Sequence, residues 1–168
     1  MINWLYFPKT RHPTMLAEAI IESFRRESDR IDSSTHDLRS NQVLARVEPH
    51  LTQVGFLVEN GEKTEGPVLI PVLYGKGGKP VKHFHADAFH EGEGFVVEVE
   101  AGRAVNNNQF LKDLFQACLM YDAHYVAIAV RNHHKGENDF ETVARFLEIL
   151  SASTRLKLPL KGVLLIGY

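Results

Sequence analysis

The segment that most restricts the fold is Phe95-Val96-Val97-Glu98-Val99-Glu100-Ala101-Gly102. Side chains alternate along a strand, so Phe95, Val97 and Val99 share one face while Glu98 and Glu100 share the other. So apolar a run belongs inside a sheet. Two carboxylates on one covered face repel each other and require a cation or hydrogen-bond donors to offset their burial. Beyond Gly102 the period changes. Asn106 to Tyr121 predicts a helix with Phe110, Leu111, Leu114, Phe115, Cys118 and Leu119 as its apolar set. Tyr125 to Val130 reads as a buried strand, Asp139 to Leu150 as a helix and Val163 to Ile166 as a last strand. Strand–helix–strand–helix–strand implies parallel neighbours joined by right-handed crossovers.

Upstream, Pro13 to Arg30 has helical spacing, with Leu16, Ile20 and Phe24 on one face. A polar break at Asp32–Thr35 precedes a second helix from Leu38 to Val54, which Pro49 is expected to kink or restart and Gly55 to stop. Short strands are predicted at Phe56–Glu59, at Val68–Tyr74 (an edge or bulged strand, because of Pro71) and at Val81–His90. Their turns are Asn60-Gly61, Gly75 to Pro80 and Glu91 to Gly94. The expectation is one α/β domain over 1–168 with a mixed sheet flanked by helices. Residues 1–36 would form a helical elaboration and residues 37–168 the core.

With 168 residues the chain can bury a core without staples, and Cys118 is the lone cysteine, which excludes an intramolecular disulfide or a Cys-based zinc site. No apolar run approaches the ~20 residues of a membrane span. The start lacks a signal-peptide pattern, so no membrane partner and a cytoplasmic, intracellular location are expected. The net charge of −2 argues against a general polyanion coat. The charge is uneven: residues 61–100 carry 4 Lys/Arg against 7 Asp/Glu, and residues 101–168 carry 8 against 6. An acidic centre beside a mildly basic flank suits a metal-dependent enzyme acting on phosphates.

The strand before the Glu pair contributes Asp87, and a hairpin turn of this length sets Asp87 beside Glu98 or Glu100. Three carboxylates at one place make a hard-oxygen site for Mg²⁺ or Mn²⁺. Such a site polarises a scissile phosphate, which is the chemistry of phosphodiester hydrolysis. Glu100 is then the base, and Arg103 and Lys82 are the groups to steady the transition state. No organic cofactor is expected.

Asp87, then Glu98-Val99-Glu100 on the next strand, then helix, strand and helix, resembles the PD-(D/E)xK restriction-endonuclease-like superfamily, in particular its D…ExE branch. The resemblance spans roughly residues 38–131. It implies a restriction-like DNA endonuclease that uses Mg²⁺ or Mn²⁺ and acts as a homodimer. It also implies an acidic residue on the helix before the first core strand, a role that falls on Glu48, and an auxiliary group on the helix after the Glu pair, for which Gln116 is chosen beside Gln109. Ala86 stands where a Pro often precedes the Asp. Glu100 stands where most members carry Lys, which restricts the likeness to the Glu-bearing branch or signals lost activity.

Other readings compete. The same fold without cleavage would serve binding or assembly. His83, His85 and Asp87 alternate on one strand face with His90 and Glu91 nearby, a spacing for Zn, Fe or Ni similar to that of cupin barrels. The plainer reading of His83 and His85 is exposed polar positions or phosphate contacts. Gly75 to Pro80 does not fit a nucleotide-binding loop. Lys76, Lys79, Arg131, His133 and His134 are candidate nucleic-acid contacts, as are Arg25, Arg26, Arg30 and Lys135. Cys118 is assigned to the core.

Overall fold

A computed structural model of the chain describes residues 1–59 and 66–168. The helical periodicities of the N-terminal half produce α1 (Met15–Arg26), a short α2 (Ser28–Ile31) and α3 (Ser40–Gln53). Thr14 starts α1 by accepting the Ala17 amide at 3.1 Å, and Arg25 and Arg26 sit in its last turn, where they complement the helix dipole. Pro49 does not restart α3: the helix runs on through it from Ser40 to Gln53. The carbonyl that Pro49 leaves without a helical donor is that of Ala45, and both residues are exposed, so that carbonyl is open to solvent.

The remaining elements are β1 (Asn3–Phe7), β2 (Leu57–Val58), β3 (Val68–Tyr74), β4 (Pro80–Ala86), β5 (Ala88–His90), β6 (Phe95–Val99), α4 (Gln109–Leu119), β7 (Tyr125–Val130), α5 (Asp139–Ala152) and β8 (Gly162–Gly167). Six strands form one mixed sheet in the order β1-β8-β7-β6-β5-β2. β6, β7 and β8 are parallel, as the crossover pattern requires, and β1, β5 and β2 run antiparallel to their neighbours. The mixed α/β architecture is therefore as the sequence implies.

Three local expectations are corrected. Residues 1–36 are not only helical, because Asn3–Phe7 pairs with the C-terminal strand from Asn3↔Gly167 to Phe7↔Val163 and closes one edge of the sheet. The stretch 81–90 is two strands in two sheets: β4 pairs with β3 as a separate ribbon, while β5 joins the main sheet, and Asp87 is the break between them. In α4, Phe115 and Leu119 are exposed and Cys118 is half-buried. Phe110, Asp113, Leu114 and Ala117 are buried and Leu111 packs half-buried beside them, so the apolar stripe is wider than the face the sheet covers. Pro71 coincides with register shifts in β3, the bulge anticipated from sequence. The Asn60-Gly61 turn lies outside the described residues.

Both faces of the sheet are covered. α1 and α3 pack on the face of Val97, Val99, Ala127, Ala129, Leu164 and Ile166. α4 and α5 pack on the face of Val96, Val126, Ile128, Val130, Val163 and Leu165. Among the described residues no helix is long and apolar enough to cross a membrane.

Candidate functional site: a cleft lined by four carboxyl groups

The alternation of β6 works as read from sequence. Phe95, Val97 and Val99 enter the core under α1 and α3, and Glu98 lies on the α4 side, 9% exposed. The β5–β6 register continues one step past Ala88↔Val97, which sets Asp87 opposite Glu98. At that point the chain leaves the ribbon, and the side chain of Asp87 caps the neighbouring strand: the Val99 amide donates to its Oδ2 at 2.7 Å. The Asp87 amide in turn supports the Glu98 carboxylate. Just past β6, the Glu100 amide donates to the Ala129 carbonyl at 2.8 Å, and the Glu100 carbonyl accepts the Tyr168 hydroxyl at 2.8 Å. The buried last residue of the chain thus latches the end of the acid-bearing strand.

α4 brings a fourth acid that sequence reading missed. Asp113 is 4% exposed and takes a core position in the set Phe110, Asp113, Leu114, Ala117, spaced i, i+3, i+4, i+7. A charged residue in phase with the apolar face of a helix was the available signal. Asp87, Glu98, Glu100 and Asp113 all line one cleft of about 520 Å³. Lys82, His83 and His85 from β4, Lys112, Gln109 and Gln116 from α4, and Ser40 at the start of α3 complete its walls.

Electrostatics reflect this crowding. Burial, offset in part by the Val99 amide and reinforced by the charges of Glu59 and Asp113, pushes the Asp87 carboxyl up to about 6. Burial, followed by the proximity and hydrogen bond of Asp113, lifts Glu100 to about 8. Burial first, and then its three acidic neighbours, raise Glu98 well above the usual carboxylate range. Asp113 is raised by burial against the opposing hydrogen bonds of Glu100 and Gln109. Glu98 Oε1 and Asp113 Oδ2 are buried oxygens with no hydrogen-bond partner. Among the described residues no ion pair within 4.0 Å reaches any of the four acids. Nor do three His, Cys, Asp or Glu side chains meet there as a ready-made ion cage. The donor set nevertheless fits a hard cation. Mg²⁺ keeps several waters and is held by one or two carboxylates together with substrate phosphate, and unpaired buried oxygens are what such an ion satisfies.

The structure thus brings together Asp87, Glu98, Glu100, Lys82 and Gln116 from the sequence-derived set, and with them His83 and His85. It separates others. Glu48 does not line this cleft. It sits eight residues along α3 from Ser40, about 12 Å of helix rise, and lines a different one of about 770 Å³ with Phe56, Leu57 and Ile70. The upstream acid near Asp87 is instead Glu59, whose amide donates to the Asp87 carbonyl at 2.7 Å. Arg103 is exposed and outside the cleft lining. Arg131 is buried and committed to structure: it pairs with Asp37 at 2.7 Å and donates to the Leu38 carbonyl at 2.6 Å. His134 lies 3.3 Å from the Arg131 guanidinium and packs so closely on Gly102 that a Cβ there would come within 2.5 Å of its ring. His133 is exposed, in a separate polar pocket with Ser33 and Lys135. Lys76 and Lys79 are exposed at the tip of the β3–β4 ribbon. His90 accepts the Glu93 amide at 3.1 Å and stacks edge-on against Phe56, a structural role in the β5–β6 turn.

No family model and no curated protein matches this chain.

Proposed function

We propose that the protein is a divalent-metal-dependent endonuclease that hydrolyses phosphodiester bonds in DNA at the four-carboxyl cleft, as in the restriction-endonuclease-like group its sequence resembles. The observation that carries this reading is the convergence on one cleft of Asp87, Glu98, Glu100 and Asp113, two of them with buried oxygens that lack any partner. The order of elements supports it as well: helix α3, the antiparallel β2–β5–β6 meander, α4, and β7 parallel to β6, with the acids at one end of β6.

Of Asp87, Glu98 and Glu100, one or two carboxylates at a time, with water, would hold Mg²⁺ or Mn²⁺, which when bound supplies Lewis acidity at a phosphoryl oxygen. Glu100 is the group to take the proton of the attacking water once it is itself ionised: burial and Asp113 lift its carboxyl to about 8, so it acts as a base on the alkaline side of that value or when a bound cation displaces its proton. The Asp87 amide and the Val99 amide hold the Glu98 and Asp87 carboxylates in place. Lys82 and Lys112 on the cleft walls offer positive charge to the phosphate in place of Arg103. The ribbon beside the cleft has a matching character. Residues 66–86 contain Lys76, Lys79, Lys82, His83 and His85 and no Asp or Glu, so a cationic arm flanks an acidic centre and contacts the nucleic-acid backbone. Two such sites, in a homodimer, cut both strands of a duplex.

Cleavage of plasmid DNA and of labelled oligonucleotides in Mg²⁺ and in Mn²⁺ tests the reading. Nicking or linearisation by wild type and its loss in Asp87→Ala are expected. Wild type as inert as Asp87→Ala at catalytic concentrations would overturn it and leave a nuclease-like fold used for binding.

A further inference from the structure

Asp113 is unassigned in the mechanism above, yet it is the acid whose burial is hardest to account for. It occupies a helix position that its neighbours Phe110, Leu114 and Ala117 mark as core. It shares a hydrogen bond with Glu100, Gln109 Nε2 reaches its Oδ1 only at 3.4 Å, and its Oδ2 has no partner. Across the same cleft, on β6, Glu98 Oε1 is also without a donor, in a side chain 9% exposed. Two unpartnered carboxylate oxygens from different elements therefore border one space. Leaving polar oxygens buried without a partner is unfavourable whether the carboxyls are ionised or neutral, so these two oxygens call for something that pairs with them.

Three occupants answer that demand. A lysine or arginine would, but among the described residues none forms an ion pair with either acid. Protons on Glu98 and on the Asp113–Glu100 pair would remove charge, yet Glu98 Oε1 and Asp113 Oδ2 would still lack partners. A small divalent cation satisfies oxygens from both elements together. It does so with two protein carboxylates and water.

We propose that Asp113 is a cation ligand, which with Glu98 holds an ion of the Mg²⁺ or Mn²⁺ class between α4 and β6, so that ion binding docks the helix onto the sheet. The role of that ion in turnover rests on the hydrolase reading; its binding does not.

The test is calorimetric titration of EDTA-stripped full-length protein with Mn²⁺, for wild type, Asp113→Asn and the control Glu141→Gln, an exposed acid on α5. Thermal unfolding is followed with and without Mn²⁺. Asp113→Asn should weaken Mn²⁺ binding by at least about tenfold and abolish the Mn²⁺-induced rise in unfolding temperature, while Glu141→Gln keeps both. Equal affinity in wild type and Asp113→Asn, or no uptake by wild type, overturns the proposal. Should Asp113→Asn fail to fold, wild-type crystals soaked in Mn²⁺ answer the same question. An anomalous peak coordinated by Asp113 supports it, and a peak bound without Asp113 overturns it. Cleavage is scored separately. Ion binding through Asp113 with no phosphodiester cut removes the hydrolase reading alone, and cleavage with unchanged Mn²⁺ affinity in Asp113→Asn removes this inference alone.

Discussion

β6 has two sides, and they are built on opposite terms. Toward α1 and α3 its side chains are Phe95, Val97 and Val99, sealed among Phe24, Val43, Val47 and Leu51 in a layer almost wholly apolar. Toward α4, Val96 begins a similar layer with Leu114 and Ile128, but within a few residues it gives way to Glu98, Glu100, Asp113 and the Asp87 hinge. The first side needs nothing beyond the chain to be stable. The second carries desolvated like charges that favour loosening of α4 from the sheet whenever they are all ionised. One strand thus serves as a rigid support on one face and as a site under electrostatic load on the other, and the support is what keeps the load in place.

The contrast can be broken first from the apolar side. Phe24→Ala removes a fully buried ring that lies 6.5 Å from the ring of Tyr168, the latch on Glu100. It should lower unfolding free energy by about 3–5 kcal/mol in urea titrations; a loss under about 1 kcal/mol would mean that this layer does not hold the fold. On the loaded side, Glu98→Gln removes a charge without changing shape. Cleavage should fall at least about 100-fold, roughly 2.7 kcal/mol of barrier, while the unfolding midpoint in EDTA stays level or rises. A midpoint that drops would show that Glu98 is a stabilising residue.

Arg131→Met separates a structural arginine from a phosphate contact. Because its guanidinium is occupied by Asp37 and the Leu38 carbonyl, the variant should lose about 1.5–3 kcal/mol of stability with DNA affinity and its salt slope unchanged. A reduced salt slope would return Arg131 to the nucleic-acid interface.

The gentlest handle is pH. Asp87 and Glu100 are raised in the folded chain, to about 6 and about 8, above the unfolded carboxylate value of about 4. Between those values the native state binds more protons than the unfolded chain, so the stability of metal-free protein should fall as pH rises from about 4 to about 8. The favourable contribution is complete at the acid end. Glu100→Gln should flatten the upper part of that decline. A stability that instead climbs with pH over this window would contradict the burial of these acids.

How much of this was legible beforehand depends on range. β6, β7 and α5 were readable because their apolar periods are local and long. β1 was not, since five residues ended by Pro8 become a strand only through pairing with β8 at the far end of the chain. The site was half legible. Glu98 and Glu100 follow from alternation alone, and Asp87 from hairpin distance, although its place as a hinge between two sheets depends on the ribbon β3–β4 turning away. Glu48 failed because helical membership was weighed without phase or distance: the α3 residue that reaches the cleft is Ser40. Asp113 was overlooked because α4 was read for its apolar residues, when the one charged residue in step with them carried the information.

The most direct test is titration of metal-free wild-type protein with Mn²⁺ and Mg²⁺ by calorimetry, alone and with duplex DNA present. Saturable uptake that disappears in Glu98→Gln is the predicted result. A folded wild-type protein that takes up neither ion under either condition would contradict the account.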